Sequence, residues 1–142
     1  MPGLVLDASV ALGWMLPGEA DAERARRLAG LVAEEGAVVP GHWRLEVANT
    51  LLMAERRGHL PPDRADALLT RLAALPVLID PETAARAWDA CPVLVRRHGL
   101  SLYDAAYLEL AARKGLPLAS FDAALLRAAA AEGVAVAGRD EG

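Results

Sequence analysis

Short apolar runs that alternate with longer helix-like segments constrain the fold of this chain more than any other feature. Runs of aliphatic residues predict strands at 4–6, 37–39, 77–79 and 116–119, and a further run indicates a fifth at 134–136. The segments between them have the apolar spacing and the terminal Gly and Pro residues of helices. Because helices separate the strands, we expect an α/β fold with a short, largely parallel sheet of four to five strands, covered on both faces.

Proline, glycine and capping residues predict where the helices begin and end. Helices are expected at about 9–16, 19–35, 43–57, 61–75, 101–114 and 122–132. Asp80 followed by Pro81 predicts a further helix with Asp80 as its N-cap, and Pro92 should kink or break that helix. The helix from Trp43 is apolar nearly all round, so we expect much of it to be buried.

Length and composition limit the classes of protein to which the chain can belong. Its 142 residues suit a single domain over 1–142, with a frayed polar tail at 138–142. The formal net charge of −4 argues against a simple basic nucleic-acid binder, although an acidic metal site would itself lower the total. Cys91 is the only cysteine, which excludes an internal disulfide. With no signal peptide or membrane-length apolar stretch in the sequence, we expect a cytoplasmic protein.

Two aspartates fall where an open parallel sheet places its functional site. Such sites lie outside the carboxyl ends of the strands. Asp7 directly follows the first predicted strand, and Asp122 comes just after the fourth. Either residue could instead be a helix N-cap, which is a common role for aspartate.

Two further acids lie in the first turns of predicted helices. Glu46 stands among apolar residues, and a buried carboxylate needs a partner or a metal ion. Alternatively, it faces solvent and favours the helix dipole. Asn49 and Thr50 follow on the same side of the helix and could orient Glu46 or contact substrate. Asp104 has the spacing of a capping box with Ser101, although an aspartate is short for that reach.

The four acids together favour a metal site over four separate capping residues. Mg²⁺ and Mn²⁺ prefer carboxylate oxygens and water as ligands. Cleavage of a phosphodiester requires an activated water and neutralised charge on the phosphate, and one or two such ions supply both. The residues alone therefore predict a nuclease that uses Mg²⁺ or Mn²⁺.

The segments that carry these acids resemble the ordered motifs of PIN-domain ribonucleases, and the size and helix-rich middle resemble the VapC toxins of prokaryotic toxin–antitoxin pairs. The segments span residues 4–9, 46–49, 102–111 and 118–122, within a likeness over about 4–136. The resemblance implies a PIN-like three-layer α/β/α fold and a site that binds Mg²⁺ or Mn²⁺ and cleaves RNA. The implied catalytic and metal-binding residues are Asp7, Glu46, Asp104 and Asp122. The implied supporting residues are Ser9, Asn49 and Ser120, the last at a position where many relatives have Thr.

The same resemblance implies partners and leaves alternatives open. It implies a homodimer and a small cognate antitoxin that lies across the helices near the site, with no membrane association. One alternative keeps the fold without catalysis, as a non-catalytic PIN-like RNA- or protein-binding domain. A haloacid-dehalogenase-type phosphatase would need Asp at position 9, where this chain has Ser9. A receiver domain would need a lysine after a late strand, but Lys114 precedes the fourth.

Overall fold

A parallel sheet lies at the centre of the fold in the computed structural model, which describes residues 1–15 and 22–138. Its four strands are β1 (Leu4–Leu6), β2 (Ala37–Val39), β3 (Val77–Ile79) and β4 (Leu118–Ala119). They are hydrogen-bonded in the order β3-β2-β1-β4, and every pair is parallel. The predicted fifth strand is reduced to one parallel bridge between Leu118 and Val136. The α/β fold with a short parallel sheet is therefore confirmed.

The helices lie close to their predicted positions. Within the described residues they are α1 (Ala8–Met15), α2 (Ala22–Glu35), α3 (Trp43–Arg56), α4 (Pro62–Ala73), α5 (Thr83–Arg86), α6 (Ala90–His98), α7 (Leu102–Lys114) and α8 (Ala123–Ala131). The predicted end of the first helix at Leu16, the start of the second at Glu19 and residues 139–142 of the predicted frayed tail lie outside the described residues. No helix in the described ranges has both the length and the apolar character needed to cross a membrane.

Helices cover both faces of the sheet at its centre. The three residues of β1 alternate between the two faces, and each is at most 1% exposed. Helix α7 packs against β1 and α6, and its residues 105–111 are all buried. By contrast, β3 is an edge strand, with Leu78 62% and Ile79 47% exposed. The most buried helix is therefore the one that carries Asp104.

One expectation about the helices is wrong, and another holds for one helix face only. Helix α5 begins at Thr83 with Glu82 at the cap position, because the carboxylate of Asp80 instead pairs with Arg113. Helix α3, much of which was expected to be buried, has four buried residues on one face, whereas Leu45 is 76% and Leu52 43% exposed.

The interruption predicted before Pro92 is present. Helix α5 ends at Arg86 and α6 starts at Ala90, so residues 87–89 separate them. A proline ring clashes with the carbonyl four residues earlier, which here belongs to Trp88. Pro92 therefore lies in the first turn of α6 rather than within a continuous helix.

Candidate active site

Asp7 lies at the carboxyl end of β1 and is the most buried of the four acids. The residue is 4% exposed. Its Oδ2 accepts hydrogen bonds from the hydroxyls of Ser9 and Ser120, each at 2.7 Å. Burial raises the pKa of Asp7, the two hydroxyl donors oppose that rise, and the charges of Glu46 and Asp122 add to it. The two serines thus orient Asp7 through one oxygen. Burial and the neighbouring negative charges disfavour its ionised form.

The two serines also connect the ends of neighbouring strands. The backbone amide of Phe121 donates to Ser9 Oγ at 3.0 Å, and that of Asp122 donates to Ser120 Oγ at 3.0 Å. Each hydroxyl therefore links Asp7, at the end of β1, to the segment that follows β4. The parallel pairing of the two strands brings these ends to one edge of the sheet.

Asp122 is an N-cap, and its charge also reaches the other acids. Its Oδ1 accepts a hydrogen bond from the backbone amide of Leu125 at 2.9 Å, so the capping role predicted for it is present. Its charge helps raise the pKa of both Asp7 and Asp104. The cap uses one carboxylate oxygen, and Oδ2 makes no hydrogen bond to the rest of the described chain.

Glu46 lies one turn into α3, with its side chain 35% exposed. Its Oε1 accepts a 2.6 Å hydrogen bond from the hydroxyl of Tyr107, and Nε2 of His42 lies 3.8 Å from the same oxygen. Thr50 donates to the backbone carbonyl of Glu46 at 3.1 Å and so does not orient the carboxylate. Asn49 is exposed on the same helix.

Asp104 lies in the first turn of α7 and is partly buried. Its backbone amide donates to Ser101 Oγ at 3.1 Å, so Ser101 provides the N-cap. Burial raises the pKa of Asp104, and the charges of Asp7 and Asp122 raise it further. The Ser101 hydroxyl and His42 only partly oppose this rise. The carboxylate of Asp104 therefore interacts electrostatically with Asp7 and Asp122, as expected for members of one cluster.

Asp7 is the electrostatic centre of the set, since Glu46, Asp122 and Asp104 each interact with it. As the side chains stand, however, no three His, Cys, Asp or Glu residues within 1–15 and 22–138 are close enough to hold one ion. Carboxylates without a counter-ion repel one another. The structure thus brings the acids to one edge of the sheet without closing them into a coordination shell.

Sequence reasoning missed two residues that touch Glu46. Tyr107 is completely buried; burial and the adjacent Glu46 raise the pKa of its hydroxyl, which therefore remains a hydrogen-bond donor. His42 packs its ring against Tyr107, with centroids 5.2 Å apart, and its Nε2 is buried without a hydrogen-bond partner. The sequence does contain one indication of the role of Tyr107. It lies three residues after Asp104, which places both side chains on the same side of a helix.

Comparison with known proteins places the chain in a family. A model of the PIN domain family matches residues 4–131. The chain is 32% identical over 119 residues to Ribonuclease VapC12 from Mycobacterium tuberculosis, covering 81% of this chain and 83% of the relative. It is 32% identical over 112 residues to Ribonuclease VapC3 from Pyrobaculum aerophilum, covering 79% and 83%.

A solved structure supports the same fold. The crystal structure of Mycobacterium tuberculosis VapC20, a sarcin-ricin loop cleaving toxin, superposes with a TM-score of 0.62 at 21% identity. The superposition covers 89% of this chain and 95% of VapC20. The chain belongs to the PIN-domain family and, within it, to the VapC ribonucleases.

Proposed function

We propose that this chain hydrolyses RNA phosphodiester bonds with Mg²⁺ or Mn²⁺ bound among the four acids around Asp7. The observation that carries the proposal is electrostatic. Burial and neighbouring negative charges raise the pKa of both Asp7 and Asp104 in the metal-free protein. A divalent cation removes this penalty, because an opposite charge favours the ionised form. The relatives named as ribonucleases support RNA as the substrate.

The donor atoms fit a hard divalent ion. All the candidate ligands are carboxylate oxygens, which Mg²⁺ and Mn²⁺ prefer. Asp7 Oδ1, Glu46 Oε2 and Asp122 Oδ2 make no hydrogen bond to other described residues. Each of these three side chains therefore keeps one oxygen for an ion while its other oxygen is held in place. Small side-chain rotations would be needed, since the acids stand too far apart for a closed shell.

The residues of the chain orient the acids and exclude water from part of the site. Ser9 and Ser120 hold Oδ2 of Asp7 in a buried position, which fixes the direction of Oδ1. Asp104 projects from the first turn of a buried helix, so its position is set by the core. A bound Mg²⁺ or Mn²⁺ supplies a water of lowered pKa and neutralises charge on the phosphate and the leaving oxygen.

The direct test is cleavage of single-stranded RNA by the purified chain. We expect cleavage with Mg²⁺ or Mn²⁺ and none in excess EDTA. Asp7→Asn and Asp104→Asn should remove most of the activity while the circular dichroism spectrum is unchanged. Asp63→Asn, which alters an exposed carboxylate on α4, is the matched control and should cleave like the wild type. Cleavage that persists in EDTA would contradict the proposal, and RNA binding without cleavage would favour the non-catalytic alternative.

We further propose that the chain is the toxin of a toxin–antitoxin pair, acts in the cytoplasm where its RNA substrate is found, and forms a homodimer. Exposed apolar side chains on the two helices that carry Glu46 and Asp104 support a protein partner. Leu45, next to Glu46, is 76% exposed, and Tyr103, next to Asp104, is 65% exposed. Exposed apolar groups close to a polar site are typical of interaction surfaces.

A further inference from the structure

We propose that Tyr107 is a positioning residue for this reaction, and that its buried hydroxyl fixes the carboxylate of Glu46 relative to Asp7. The inference rests on the proposed function, since it assigns Tyr107 a role in the metal-dependent site. Tyr107 is completely buried and donates to the Glu46 carboxylate, so it acts through Glu46.

The contact between the two side chains is strong and spans the fold. The hydroxyl of Tyr107 on α7 donates to Oε1 of Glu46 on α3 at 2.6 Å, across 61 residues of sequence. Hydrogen bonds to an ionised acceptor are shorter and stronger than those between neutral groups. Tyr107 is 0% exposed, so its ring is held by the core and its hydroxyl is a fixed point. The side chain of Glu46 is 35% exposed and would otherwise be free to rotate into solvent.

The helix that carries Tyr107 also packs against the strand that leads to Asp7. Helix α7 contacts β1, and Asp7 directly follows that strand. Burial raises the pKa of the Tyr107 hydroxyl, and the charges of Glu46 and Asp7 raise it further. Because the hydroxyl is held in the core between α3 and β1, its bond to Oε1 fixes where the Glu46 carboxylate stands relative to Asp7.

His42 closes the remaining side of the Glu46 carboxylate. Its ring meets that of Tyr107 edge-on at 5.2 Å, and its Nε2 lies 3.8 Å from Glu46 Oε1. With Oε1 enclosed by these two side chains, Oε2 is the oxygen left for an ion. Partners that orient a ligand in this way typically contribute roughly 10–100-fold to metal affinity or activity.

The test removes only the hydroxyl. In a calorimetric titration with Mn²⁺, Tyr107→Phe should bind the ion roughly 10–100-fold more weakly than wild type. Its kcat for RNA cleavage should fall by a similar factor while KM for RNA is unchanged. Thr70→Val is the matched control, because it removes an exposed hydroxyl on α4 that donates to the backbone carbonyl of Asp66 in its own helix. We expect this control to equal wild type in both measurements.

A double-mutant cycle separates positioning from a structural role. In a Glu46→Gln background, Tyr107→Phe should cause little further loss of Mn²⁺ affinity, since its effect runs through the Glu46 carboxylate. Glu46→Asp keeps the charge but withdraws the carboxylate from the Tyr107 hydroxyl, so Tyr107→Phe should again cause little further loss of Mn²⁺ affinity in that background.

The outcomes distinguish this inference from the proposed function. If wild type binds Mn²⁺ and cleaves RNA but Tyr107→Phe matches it, only the inference is overturned. A full additional loss in the Glu46→Gln background overturns it as well. If the wild type neither binds Mn²⁺ nor cleaves RNA, both the proposed function and the inference fall.

Discussion

The hydroxyl of Ser120 donates a 2.7 Å hydrogen bond to Oδ2 of Asp7, although 113 residues separate the two in sequence. The same hydroxyl accepts a hydrogen bond from the backbone amide of Asp122. Ser120 is completely buried, so neither bond is in competition with water. A single side chain thus sets the relation between two of the acids.

Ser120→Ala should shift the acidic limb of the pH–activity profile to higher pH. The Ser120 hydroxyl favours ionised Asp7 and lowers its pKa, so its removal raises that pKa further. The ionised form required for a metal ligand then appears only at higher pH. The measurement is kcat/KM for RNA cleavage as a function of pH. Thr50→Ala removes a hydroxyl that bonds only to the Glu46 backbone, and it should leave the profile in place.

Metal-free protein should be stabilised by Asp104→Asn even though this variant is inactive. The pKa of Asp104 is raised above its ordinary value of 3.8 by burial and by Asp7 and Asp122. The unfolded chain therefore ionises at lower pH than the folded protein, and metal-free stability falls as pH rises through the raised pKa. At neutral pH in EDTA, the Asp104→Asn variant should melt at a higher temperature than the wild type.

Divalent metal should reverse the loss of stability in the wild type. An ion at about 100 times its Kd stabilises the folded state by about 2.7 kcal/mol, which corresponds to roughly 5–10 °C in melting temperature for a domain of this size. Melting curves in EDTA and in excess Mg²⁺ measure both effects. A wild-type midpoint that Mg²⁺ leaves unchanged, together with a lower metal-free midpoint for Asp104→Asn, would reduce Asp104 to a structural residue of α7.

Arg113→Gln should be strongly destabilising. The guanidinium of Arg113 pairs with Asp80 at 2.7 Å, Glu82 at 3.0 Å and Glu109 at 2.9 Å. The side chains of Asp80 and Glu109 are only 1% and 9% exposed, so losing their partner leaves two buried charges unpaired. Removal of one partner from a buried pair costs roughly 3–5 kcal/mol. Urea unfolding measures the loss, with Arg64→Gln on the exposed face of α4 as control.

The Arg113 pairing also makes the stability of the protein depend on pH. Burial alone would raise the pKa of Asp80, but the hydrogen bond and charge of Arg113 outweigh it and hold that pKa below its ordinary value. The stabilisation is therefore present above the pKa of Asp80 in the unfolded chain and is lost as pH falls through its pKa in the folded protein. When the free energy of unfolding is measured from pH 7 downward, it should fall less with decreasing pH in Asp80→Asn than in the wild type.

A partner should change the mass of the protein in solution. We expect light scattering to give the mass of a homodimer, and coexpression with a short neighbouring reading frame to give a tight complex that no longer cleaves RNA. Exposed apolar side chains on the helices that carry Glu46 and Asp104, such as Leu45, motivate this expectation. A monomer that gains no small partner from its native operon would count against it.

The sequence alone was enough to place four of the strands, most helix ends and two of the capping residues. Short aliphatic runs mark β1, β2 and β3 to the residue, and Ser101 and Asp122 cap the helices that they were expected to begin. These features depend on local patterns, since the period of an apolar stripe and the reach of a cap involve residues within about one turn. The positions of Asp7 and Asp122 at strand ends followed from the same patterns.

The tertiary structure alone decided which side chains meet. The contact of Tyr107 with Glu46 depends on how α7 and α3 are rotated about their axes, and no local pattern specifies that rotation. Asp80 shows the same limit, because its sequence suits an N-cap but its buried carboxylate pairs with Arg113, 33 residues away. A cap contributes about 1 kcal/mol, whereas a buried charge without its partner costs roughly 3–5 kcal/mol. Burial therefore settles the role of Asp80, and burial is a property of the folded chain.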